Sequence, residues 1–418
     1  MRILLHDYAG HAFPVGLSRQ LAERGHVVTH AFASQLLTPR GVLKRRDEDT
    51  TALSFAEVPM SSAYRANKYS FIKRLGYERA YGWELMRLAE ELKPDVILSG
   101  QTPSEPQLGM IRAATKMGIP VVTWVQDFYS MAVDKLARKR LPLIGALAGA
   151  WYRRLDAKCF EQSSGIVAIT EDFLPILDQF GVPDKKVTVI PNWAPLDELP
   201  LRPRVNGWAV RHGLVGKFVF LYSGTLAMKH NPELLHQLAK TFMGDLSVRV
   251  VVISEGPGAD YLRERQIAGN LSNLVLLPFQ DFGDMPDVLA SADVLLSVLE
   301  ADAGVFSVPS KVLTYHAAGR PILGAMPAEN LAAQIIQKQG SGICVPPDDC
   351  TAFLEAAESL HVDSTLCAAM GRKGRAYAEK EFDIDRIADC FESVFAQALS
   401  ASSRRLSTRS DDGKTSAA

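Results

Sequence analysis

The stretch FVFLYSGTLAMKHNPELL, residues 218–235, contains the parts of a β–turn–α unit in a row. Its first half is an almost continuous apolar run, which is typical of a strand buried on both faces of a parallel sheet. Gly224 then permits a tight turn. Asn231 and Pro232 indicate a helix start, because proline is favoured in the first helical turn. The stretch therefore predicts one unit of a doubly wound α/β domain.

The same pattern recurs along most of the chain. Further apolar runs of strand length are RILLH, VVTHAFA, VILSG, VVTWV, IVAIT, VTVIP, VRVVVISEG, LVLLPF, VLLSVL and PILGA. The segment 192–214 is rich in proline and charge and predicts a linker. We expect an N-terminal Rossmann-like domain over residues 1–200 and a C-terminal one over 201–382. A last helix over 383–399 should cross back to the N-terminal domain, and the nearly apolar-free tail 400–418 should be disordered.

Composition narrows the classes of function. Lys and Arg total 46 and Asp and Glu total 47 among 418 residues, so bulk charge gives no support to a nucleic-acid partner. The N-terminus MRILLHDYAG lacks the pattern of a signal peptide. No apolar run approaches the roughly 20 residues of a transmembrane helix. A cytoplasmic protein with reduced thiols is expected, because the five cysteines fit no metal-ligand spacing: Cys159, Cys344, Cys350, Cys367 and Cys390.

Ligands of doubly wound sheets bind beyond the carboxyl ends of the strands, so residues that directly follow a predicted strand are candidates. After the first strand, Gly10 permits close approach of the backbone and His11 is a polar group near a helix start. A plain β–α turn is the alternative. After VVTWV, Asp127 places a carboxylate where a substrate hydroxyl could be held or deprotonated. A helix N-cap is the equal alternative for Asp127.

Three places in the second half present polar or cationic groups after strands. Lys229 follows the glycine turn and lies beside the predicted helix start, whose free N–H groups attract anions. Glu255 and Gly256 form a sharp turn after VRVVVIS. In SVPSKVLTYHAAGRPIL, Ser307 and Lys311 lie at the mouth of a helix. The alternatives are solvated lysines and simple turns or caps. The two lysines could converge on one diphosphate without a metal.

A metal site is not expected. The Asp-x-Asp triplet Asp383-Ile384-Asp385 lies at the start of the last predicted helix. An N-cap explains this triplet more simply than a metal ligand pair does.

The strings LYSGTLAMKHNPELL, SEGPG, VIPNWA and LPFQDFGDMPDVLASADVLLSVLEADAGVFSVPSKVLTYHAAGRPIL together resemble a retaining glycosyltransferase of family 4. They are similar to the bacterial branch that builds colanic-acid, capsule and O-antigen polysaccharides. The resemblance covers nearly the whole chain and is weak from about residue 39 to 84. It implies the GT-B fold, with two Rossmann-like domains and the active site in the cleft. It also implies transfer of a sugar from a UDP- or GDP-sugar to an acceptor hydroxyl with retention of anomeric configuration, without a cofactor.

The resemblance also assigns roles to residues. It implies that Lys229 binds the donor diphosphate, that Gly224 and Thr225 form the turn beside it, and that Gly10 lies near the sugar. A helix start facing the phosphates is implied for three residues: Ser307, Val308 and Lys311. That helix mouth would stabilise the charge that grows on the departing nucleotide diphosphate.

The chain departs from the family pattern at several positions. Phe306 and Thr314 stand where many members have two glutamates eight residues apart, so Glu300 or Asp302 is expected to make the ribose contact instead. An arginine expected near Thr225 is missing. Many relatives have a catalytic His-Asp pair where this chain has Gln-Asp, so the aspartate is kept and the histidine is not. A nucleotide-sugar 2-epimerase and a non-catalytic partner subunit are the alternative functions.

A basic and apolar region of the N-terminal domain indicates a membrane surface. Residues 138–140 are Arg-Lys-Arg, and they precede LPLIGALAGAW at 141–151, which Tyr-Arg-Arg follows at 152–154. Basic residues at 44–46 and 73–74 add charge. This pattern suits peripheral binding to an anionic membrane, and a buried helix is the alternative. The resemblance implies a lipid-linked or oligosaccharide acceptor, at the inner face of the plasma membrane.

Overall fold

The computed structural model of the protein describes residues 1–36, 40–67, 70–140, 142–299 and 310–415. The chain forms two compact units. Unit 1 comprises Met1–Pro191 together with Ile384–Ala418, and unit 2 comprises Asn192–Asp383. The division between the units thus falls at residues 191 and 192, before the proline-rich linker, whereas the sequence pattern placed it at residue 200.

Unit 1 is a seven-stranded parallel sheet with helices on its faces, and its strand order is β3-β2-β1-β4-β5-β6-β7. Its strands are β1 Arg2–Asp7, β2 Val27–Ala33, β3 Leu53–Val58, β4 Val96–Gly100, β5 Val121–Val125, β6 Gly165–Ala168 and β7 Val187–Val189. Its helices before the linker are α1 Ala12–Glu23, α2 Tyr64–Asn67, α3 Phe71–Leu92, α4 Ser104–Lys116, α5 Tyr129–Arg140, α6 Pro142–Gln162 and α7 Leu174–Gln179. Strands β4, β5 and β6 are buried throughout, as their uninterrupted apolar sequences predict.

Unit 2 repeats the architecture with a six-stranded parallel sheet of order β10-β9-β8-β11-β12-β13. Its strands are β8 Phe218–Ser223, β9 Val248–Ile253, β10 Leu274–Leu277, β11 Val294–Val298, β12 Ile322–Ala325 and β13 Gly342–Val345. Its helices are α8 Gly207–Arg211, α9 Pro232–Thr241, α10 Pro257–Gly269, α11 Met285–Ala290, α12 Ser310–Ala317, α13 Leu331–Gln339, α14 Cys350–Val362 and α15 Ser364–Glu381. The predicted β-turn-α stretch is therefore β8, the Gly224 turn and the start of α9.

The last helix, α16 Ile384–Thr415, packs on unit 1. Arg24, just after α1, donates to the carboxylates of Asp385, Asp389 and Glu392 over 2.6–3.0 Å. Phe391 packs edge-on against a tryptophan of β5, with ring centroids 5.0 Å apart. Asp385, which the sequence analysis weighed as a metal ligand, is thus paired with a cation.

The tail prediction differs from the structure. Residues 400–418 were expected to be disordered, but α16 continues through residue 400 to Thr415. A formed helix propagates by adding one hydrogen bond for each residue fixed, so it does not need apolar side chains at every turn. None of the helices in the described ranges is long and apolar enough to cross a bilayer.

Candidate functional site

The strand order identifies a switch point in the interior of each sheet. In unit 1, β1 lies between β2 and β4, and in unit 2, β8 lies between β9 and β11, so the order in which strands are added to the sheet reverses at each of these strands. Such switch points open a crevice at the carboxyl ends of the strands, where ligands of doubly wound sheets bind. Residues after β1, β4 and β5 in unit 1, and after β8 and β9 in unit 2, are therefore the ones to inspect.

In unit 2, the turn after β8 is joined to the turn after β9. Gly224 has φ of +130°, which strongly favours glycine, and its N–H donates to the carbonyl of Ile253 over 3.1 Å. The N–H of Gly258 donates to the carbonyl of Leu226 over 3.0 Å, and a Cβ at position 258 would collide with that carbonyl. Gly256, at φ +96°, precedes α10. The predicted glycine turns after β8 and β9 are thus hydrogen-bonded to each other, and together they form one contiguous surface, here called the rim.

This rim leaves backbone donors available. Within the part of the chain that the structure describes, the N–H groups of Thr225 and Leu226 have no hydrogen-bond acceptor. Thr225 is exposed, and its carbonyl accepts from the Tyr222 hydroxyl over 2.7 Å, which holds the turn in place. Successive free amides in a turn form a concave site for an anion.

Lys311 lies beside this turn on the first turn of α12. Its ammonium is 3.7 Å from the centroid of the Tyr222 ring, and 3.4 Å from the point that a Cβ at Gly224 would occupy. Tyr315, one helical turn further on, fixes α12 to β8, because its hydroxyl accepts from the N–H of Ser223 over 3.1 Å. A Cβ at position 224 would be in van der Waals contact with the lysine side chain.

The charge of Lys311 lacks a carboxylate partner among the described residues. Although part of the side chain is exposed, burial lowers the pKa of Lys311 to about 7. The Tyr222 ring offers a cation–π contact, which compensates only part of the lost hydration. An anion seated on the turn would supply the missing countercharge.

The other predicted residues of unit 2 are placed as follows. Glu255 is exposed, and its carboxylate accepts from the N–H of Phe279 over 3.3 Å, so it ties the β9 turn to the end of β10. The backbone of Lys229 lies in a short 3-10 turn, Met228–His230, and its side chain is outside the described part of the structure. Thr314 donates its hydroxyl to the carbonyl of Lys311 over 2.8 Å, within its own helix. Five further predicted positions lie outside the described residues: Glu300, Asp302, Phe306, Ser307 and Val308.

In unit 1, the backbone N–H groups of the turn after β1 donate to a carboxylate of the protein itself. Gly10 has φ of +76°, and a Cβ there would lie 2.8 Å from Leu43. The buried carboxylate of Asp7 accepts from the N–H groups of Ala9 at 3.2 Å and His11 at 2.6 Å. Burial acts to raise the pKa of Asp7, but hydrogen bonds and charge from His11 outweigh it and lower the pKa. These amides are therefore not available to a phosphate.

Asp127 lies in the loop between β5 and α5, at a polar cavity of about 40 Å³. That volume holds a few water molecules. The carboxylate is exposed, and no hydrogen bond to it comes from the residues that the structure describes. Its pKa is raised, first by partial desolvation and then by the charge of Asp156, which lines the same cavity. The remaining wall is mostly polar, with Ser99, Thr102, Ser104, Gln107 and Thr123.

Asp156 takes the capping role that was the alternative for Asp127. It is a buried residue of α6, and its carboxylate accepts from the N–H of Ser130 at 2.9 Å and the hydroxyl of Ser104 at 2.5 Å. Asp156 thus satisfies one backbone N–H in the first turn of α5, and it also binds the side chain of Ser104 at the start of α4. Asp127 is left as an unengaged carboxylate, which is the condition for a proton acceptor.

Three residues at these edges escaped the sequence analysis. Asp156 is the single acidic residue of the otherwise apolar and basic run 142–158, and that isolation was its signal. Tyr315 stands four residues after Lys311 and so shares a helix face with it. Tyr222 is the last aromatic residue of a buried strand, and no local pattern shows that a lysine 89 residues later covers its ring.

Models of two glycosyltransferase families match the chain. Glycosyltransferase Family 4 matches residues 15–198, and Glycosyl transferases group 1 matches residues 217–363. The two matches are consecutive and together span most of the chain. A curated relative, the probable glycosyltransferase WbjE of Pseudomonas aeruginosa, is 22% identical over 304 residues, which are 71% of this chain and 74% of the relative.

Solved structures share the fold. HepE of Anabaena, solved in complex with UDP and glucose, matches with a TM-score of 0.68 at 13% identity, over 95% of this chain and 99% of that chain. WaaG, a glycosyltransferase involved in lipopolysaccharide biosynthesis, matches with a TM-score of 0.64 at 15% identity, over 93% of this chain and 98% of that chain. At such identities the likeness establishes the fold, and the family models establish the class. The chain therefore belongs to the family 4-like glycosyltransferases of the GT-B fold.

Proposed function

We propose that the protein is a retaining, metal-independent glycosyltransferase that moves a sugar from a UDP- or GDP-sugar to an acceptor hydroxyl. The observation that carries the proposal is the arrangement of Lys311 on Tyr222 beside the free amides of the Gly224 turn. Among the described residues, this cation has no carboxylate partner and these two N–H groups have no acceptor, and together they form a site suited to a diphosphate. The solved relative HepE in complex with UDP and glucose supports a nucleotide donor.

On the donor side, the catalytic contribution is charge stabilisation. When the bond between sugar and diphosphate breaks, negative charge grows on the leaving phosphate. Lys311, together with Lys229 of the loop after β8, would hold that charge more tightly in the transition state than in the ground state. Ser307 and Val308 belong to the same proposal, as the start of the α12 region. Two lysines and a helix mouth supply the positive charge that a divalent metal supplies in other transferases.

On the acceptor side, Asp127 is the proposed proton acceptor. Its raised pKa makes the carboxylate a better base, and its freedom from hydrogen bonds leaves it available to the incoming hydroxyl. His11 and Gly10 are proposed to border the sugar. Because the N–H of His11 is spent on Asp7, its imidazole ring is the group that can contribute.

The proposed biological setting is exopolysaccharide, capsule or O-antigen synthesis in bacteria, with a lipid-linked or oligosaccharide acceptor. Support comes from the likeness to WaaG, whose role is in lipopolysaccharide biosynthesis. An enzyme that uses a lipid-linked acceptor would be cytoplasmic and would work peripherally at the inner face of the plasma membrane.

A nucleotide screen tests the donor site. The melting temperature of the purified protein is measured with UDP, GDP, ADP and CDP, each with EDTA present. A ligand that binds only the native state raises the melting temperature. We expect UDP or GDP to do so, and we expect a smaller shift at the same nucleotide concentration for Lys311→Met. No shift with any nucleotide would contradict the proposed site.

Product analysis tests the reaction. The matching nucleotide sugars are incubated with and without candidate acceptors, and the release of nucleotide diphosphate is measured. A transferase releases it in proportion to the acceptor consumed, whereas a 2-epimerase converts the nucleotide sugar into its C2 epimer without an acceptor. The anomeric configuration of the product, read by NMR coupling constants, then decides between retention and inversion.

A further inference from the structure

The first half of helix α6 packs two glycines against α5 and leaves three large apolar residues exposed. A Cβ on Gly145 would collide with the backbone of Ala137 and Arg138 of α5, and one on Gly149 would collide with the carboxylate of Asp134. Since only a hydrogen fits at these two positions, the rotation of α6 about its own axis is fixed. The helix cannot turn its apolar side toward α5 without losing this close packing.

The side of α6 that remains exposed carries a row of large apolar residues. Leu143 is 85% exposed, Leu147 74% and Trp151 54%. They are spaced four residues apart and therefore lie along one face of the helix. Most helices of globular proteins bury such residues and expose polar ones. The second half of α6 follows this rule and buries Tyr152, Leu155 and Phe160, whereas the first half exposes its large apolar residues. Contiguous exposed apolar groups of this kind indicate a contact surface.

The same face becomes cationic further along the helix. Arg154 and Lys158 are exposed, and they follow Trp151 at intervals of three and four residues. The only acidic residue from Pro142 to Lys158 is Asp156, which is 5% exposed and faces inward. From residue 143 to residue 158 the face therefore changes from aliphatic through tryptophan to basic, and the exposed Glu161 follows at the C-terminal end of the helix. We call Leu143, Leu147, Trp151, Arg154 and Lys158 the docking row.

We propose that the docking row is the face with which the protein binds an anionic lipid bilayer, α6 lying in the plane of the interface. Aliphatic side chains would enter the acyl boundary, the tryptophan ring would lie at headgroup level, and the two cations would meet lipid phosphates. The inference rests on the proposed function in one respect: the docking row is the surface where the protein would meet a lipid-linked acceptor.

The docking row is connected to the acceptor side of unit 1. Asp156, on the inner face of α6, accepts the hydrogen bond from Ser130 that caps α5. The loop that carries Asp127 leads directly into that first turn of α5. The helix that contacts the lipid surface would thus be the same helix that is hydrogen-bonded to the start of α5, next to the Asp127 loop.

Vesicle binding tests the proposal. The purified full chain is sedimented with phosphatidylcholine vesicles, with and without phosphatidylglycerol, at low and high salt. We expect binding to the anionic vesicles that weakens with salt, since charge is screened over about 8 Å at physiological ionic strength. Leu143→Gln with Leu147→Gln should reduce partitioning about tenfold or more. Recovery of the wild type in the supernatant under all conditions would overturn the proposal.

A matched control separates the docking row from general hydrophobicity. Leu246 and Ile267 of unit 2 are 74% and 75% exposed, close to the values of the two leucines of the row. Leu246→Gln with Ile267→Gln removes as much exposed aliphatic surface and should bind vesicles like the wild type. Equal loss of binding in both double variants would overturn the assignment of the surface. Arg154→Gln with Lys158→Gln should remove most of the salt dependence.

Tryptophan fluorescence locates the contact. Of the five tryptophans, only Trp83 and Trp151 are exposed in quantity, at 71% and 54%. In Trp83→Phe, anionic vesicles should shift the emission to shorter wavelength, because Trp151 leaves water. In Trp151→Phe the shift should be absent. A shift that persists in Trp151→Phe and disappears in Trp83→Phe would place the contact on α3 and overturn the proposal.

Two measurements keep this inference separate from the proposed function. The nucleotide-induced rise in melting temperature needs no lipid, and it should be the same in the wild type and in Leu143→Gln with Leu147→Gln. Failure of nucleotide binding with intact vesicle binding would defeat the function and leave the docking row standing. Sedimentation velocity tests whether a second copy of the chain binds the docking row instead. A wild-type dimer that dissociates in the same double variant, without lipid binding, would overturn the lipid proposal.

Discussion

The turns after β1 and β8 both contain a glycine at positive φ, but they differ in their electrostatics. Each follows a strand at the switch point of its sheet, and each has a glycine at positive φ, Gly10 in unit 1 and Gly224 in unit 2. In unit 1, the carboxylate of Asp7 occupies the turn's amides. In unit 2, the amides have no acceptor among the described residues, and Lys311 lies beside them.

This difference shows that a glycine turn by itself does not make an anion site. The unit 2 turn can accept a phosphate because its donors are unspent and a cation is near. The unit 1 turn is closed to a phosphate, and the unengaged carboxylate of that edge is Asp127. One edge is thus suited to the leaving diphosphate and the other to the incoming hydroxyl. Four substitutions can break or sharpen this comparison.

The largest effect is expected for Asp127→Asn. Loss of the proposed base should reduce kcat by about 10² to 10⁴-fold, because a positioned base contributes that much to rate. Binding of the nucleotide should change little, since the partner of Asp127 is the acceptor. Steady-state kinetics and calorimetric titration with the nucleotide measure the two effects. Asp178→Asn, at an exposed position of α7, is the matched control. An unchanged kcat with the true acceptor would remove Asp127 from the mechanism.

The next effect is expected for Lys311→Met. It should weaken nucleotide binding by about 1–3 kcal/mol, the range for a hydrogen bond to a charged group. The unliganded protein should be no less stable, because methionine keeps the aliphatic contact with Tyr222 without a partly desolvated charge. Lys240→Met, at an exposed end of α9, serves as control. Lys229→Met should weaken nucleotide binding less in the Lys311→Met background than in the wild type, since both lysines act on one diphosphate. Wild-type affinity in the double variant would contradict the phosphate assignment.

A smaller effect concerns the pH dependence of donor binding. The pKa of Lys311 is lowered to about 7 by burial in the free protein, and a bound phosphate would raise it. The lysine is therefore charged below pH 7 and loses its proton above it, so the affinity should be constant on the acid side. Above pH 7 it should fall by up to about tenfold for each pH unit. Lys311→Arg stays charged and should lose this dependence.

The ratio of the wild-type and Lys311→Arg affinities at each pH removes the titration of the nucleotide itself. Titration calorimetry in two buffers of different ionisation enthalpy gives the proton uptake directly. Parallel pH profiles for the two proteins would show that Lys311 is already charged at every pH tested.

The smallest effect is expected for Asp156→Asn. The charge of Asp156 contributes to the raised pKa of Asp127, so its removal should move the acid limb of kcat/KM to lower pH. The amide oxygen of asparagine can still accept from Ser130, which preserves the cap of α5. A purely structural role would lower the plateau of kcat/KM and leave the acid limb where it is.

The fold class was predictable because its signal is local. Each strand of the two sheets is a short apolar run, and the glycines and prolines between the runs mark the turns. The family resemblance and the GT-B fold are confirmed by the family models and the solved structures. The extent of α16 was less predictable, because a helix can continue past its last apolar contact, as α16 does from residue 400 to Thr415.

The candidate site was predictable as a set of residue types and less so as an arrangement. The positions of Asp127 and Lys311 follow from the rule that chemistry lies after strands. Whether Asp127 caps a helix depended on Asp156, which lies 26 residues from Ser130 in the chain and meets it only in the folded unit. The environment of Lys311 depended on Tyr222 in the same way.

The amino-acid sequence by itself determined two series of buried strands, the glycine turns that follow them, and the basic and apolar composition of residues 138–154. Only the tertiary structure decided which carboxylate of unit 1 is free, which turn keeps its amides, and which side of α6 faces solvent. The reason is that hydrogen-bond partners, desolvation and the exposure of a helix face arise from contacts between distant segments. The close packing of Gly149 against Asp134 is one of these contacts. It fixes the rotation of α6 and so leaves the leucines of α6 exposed.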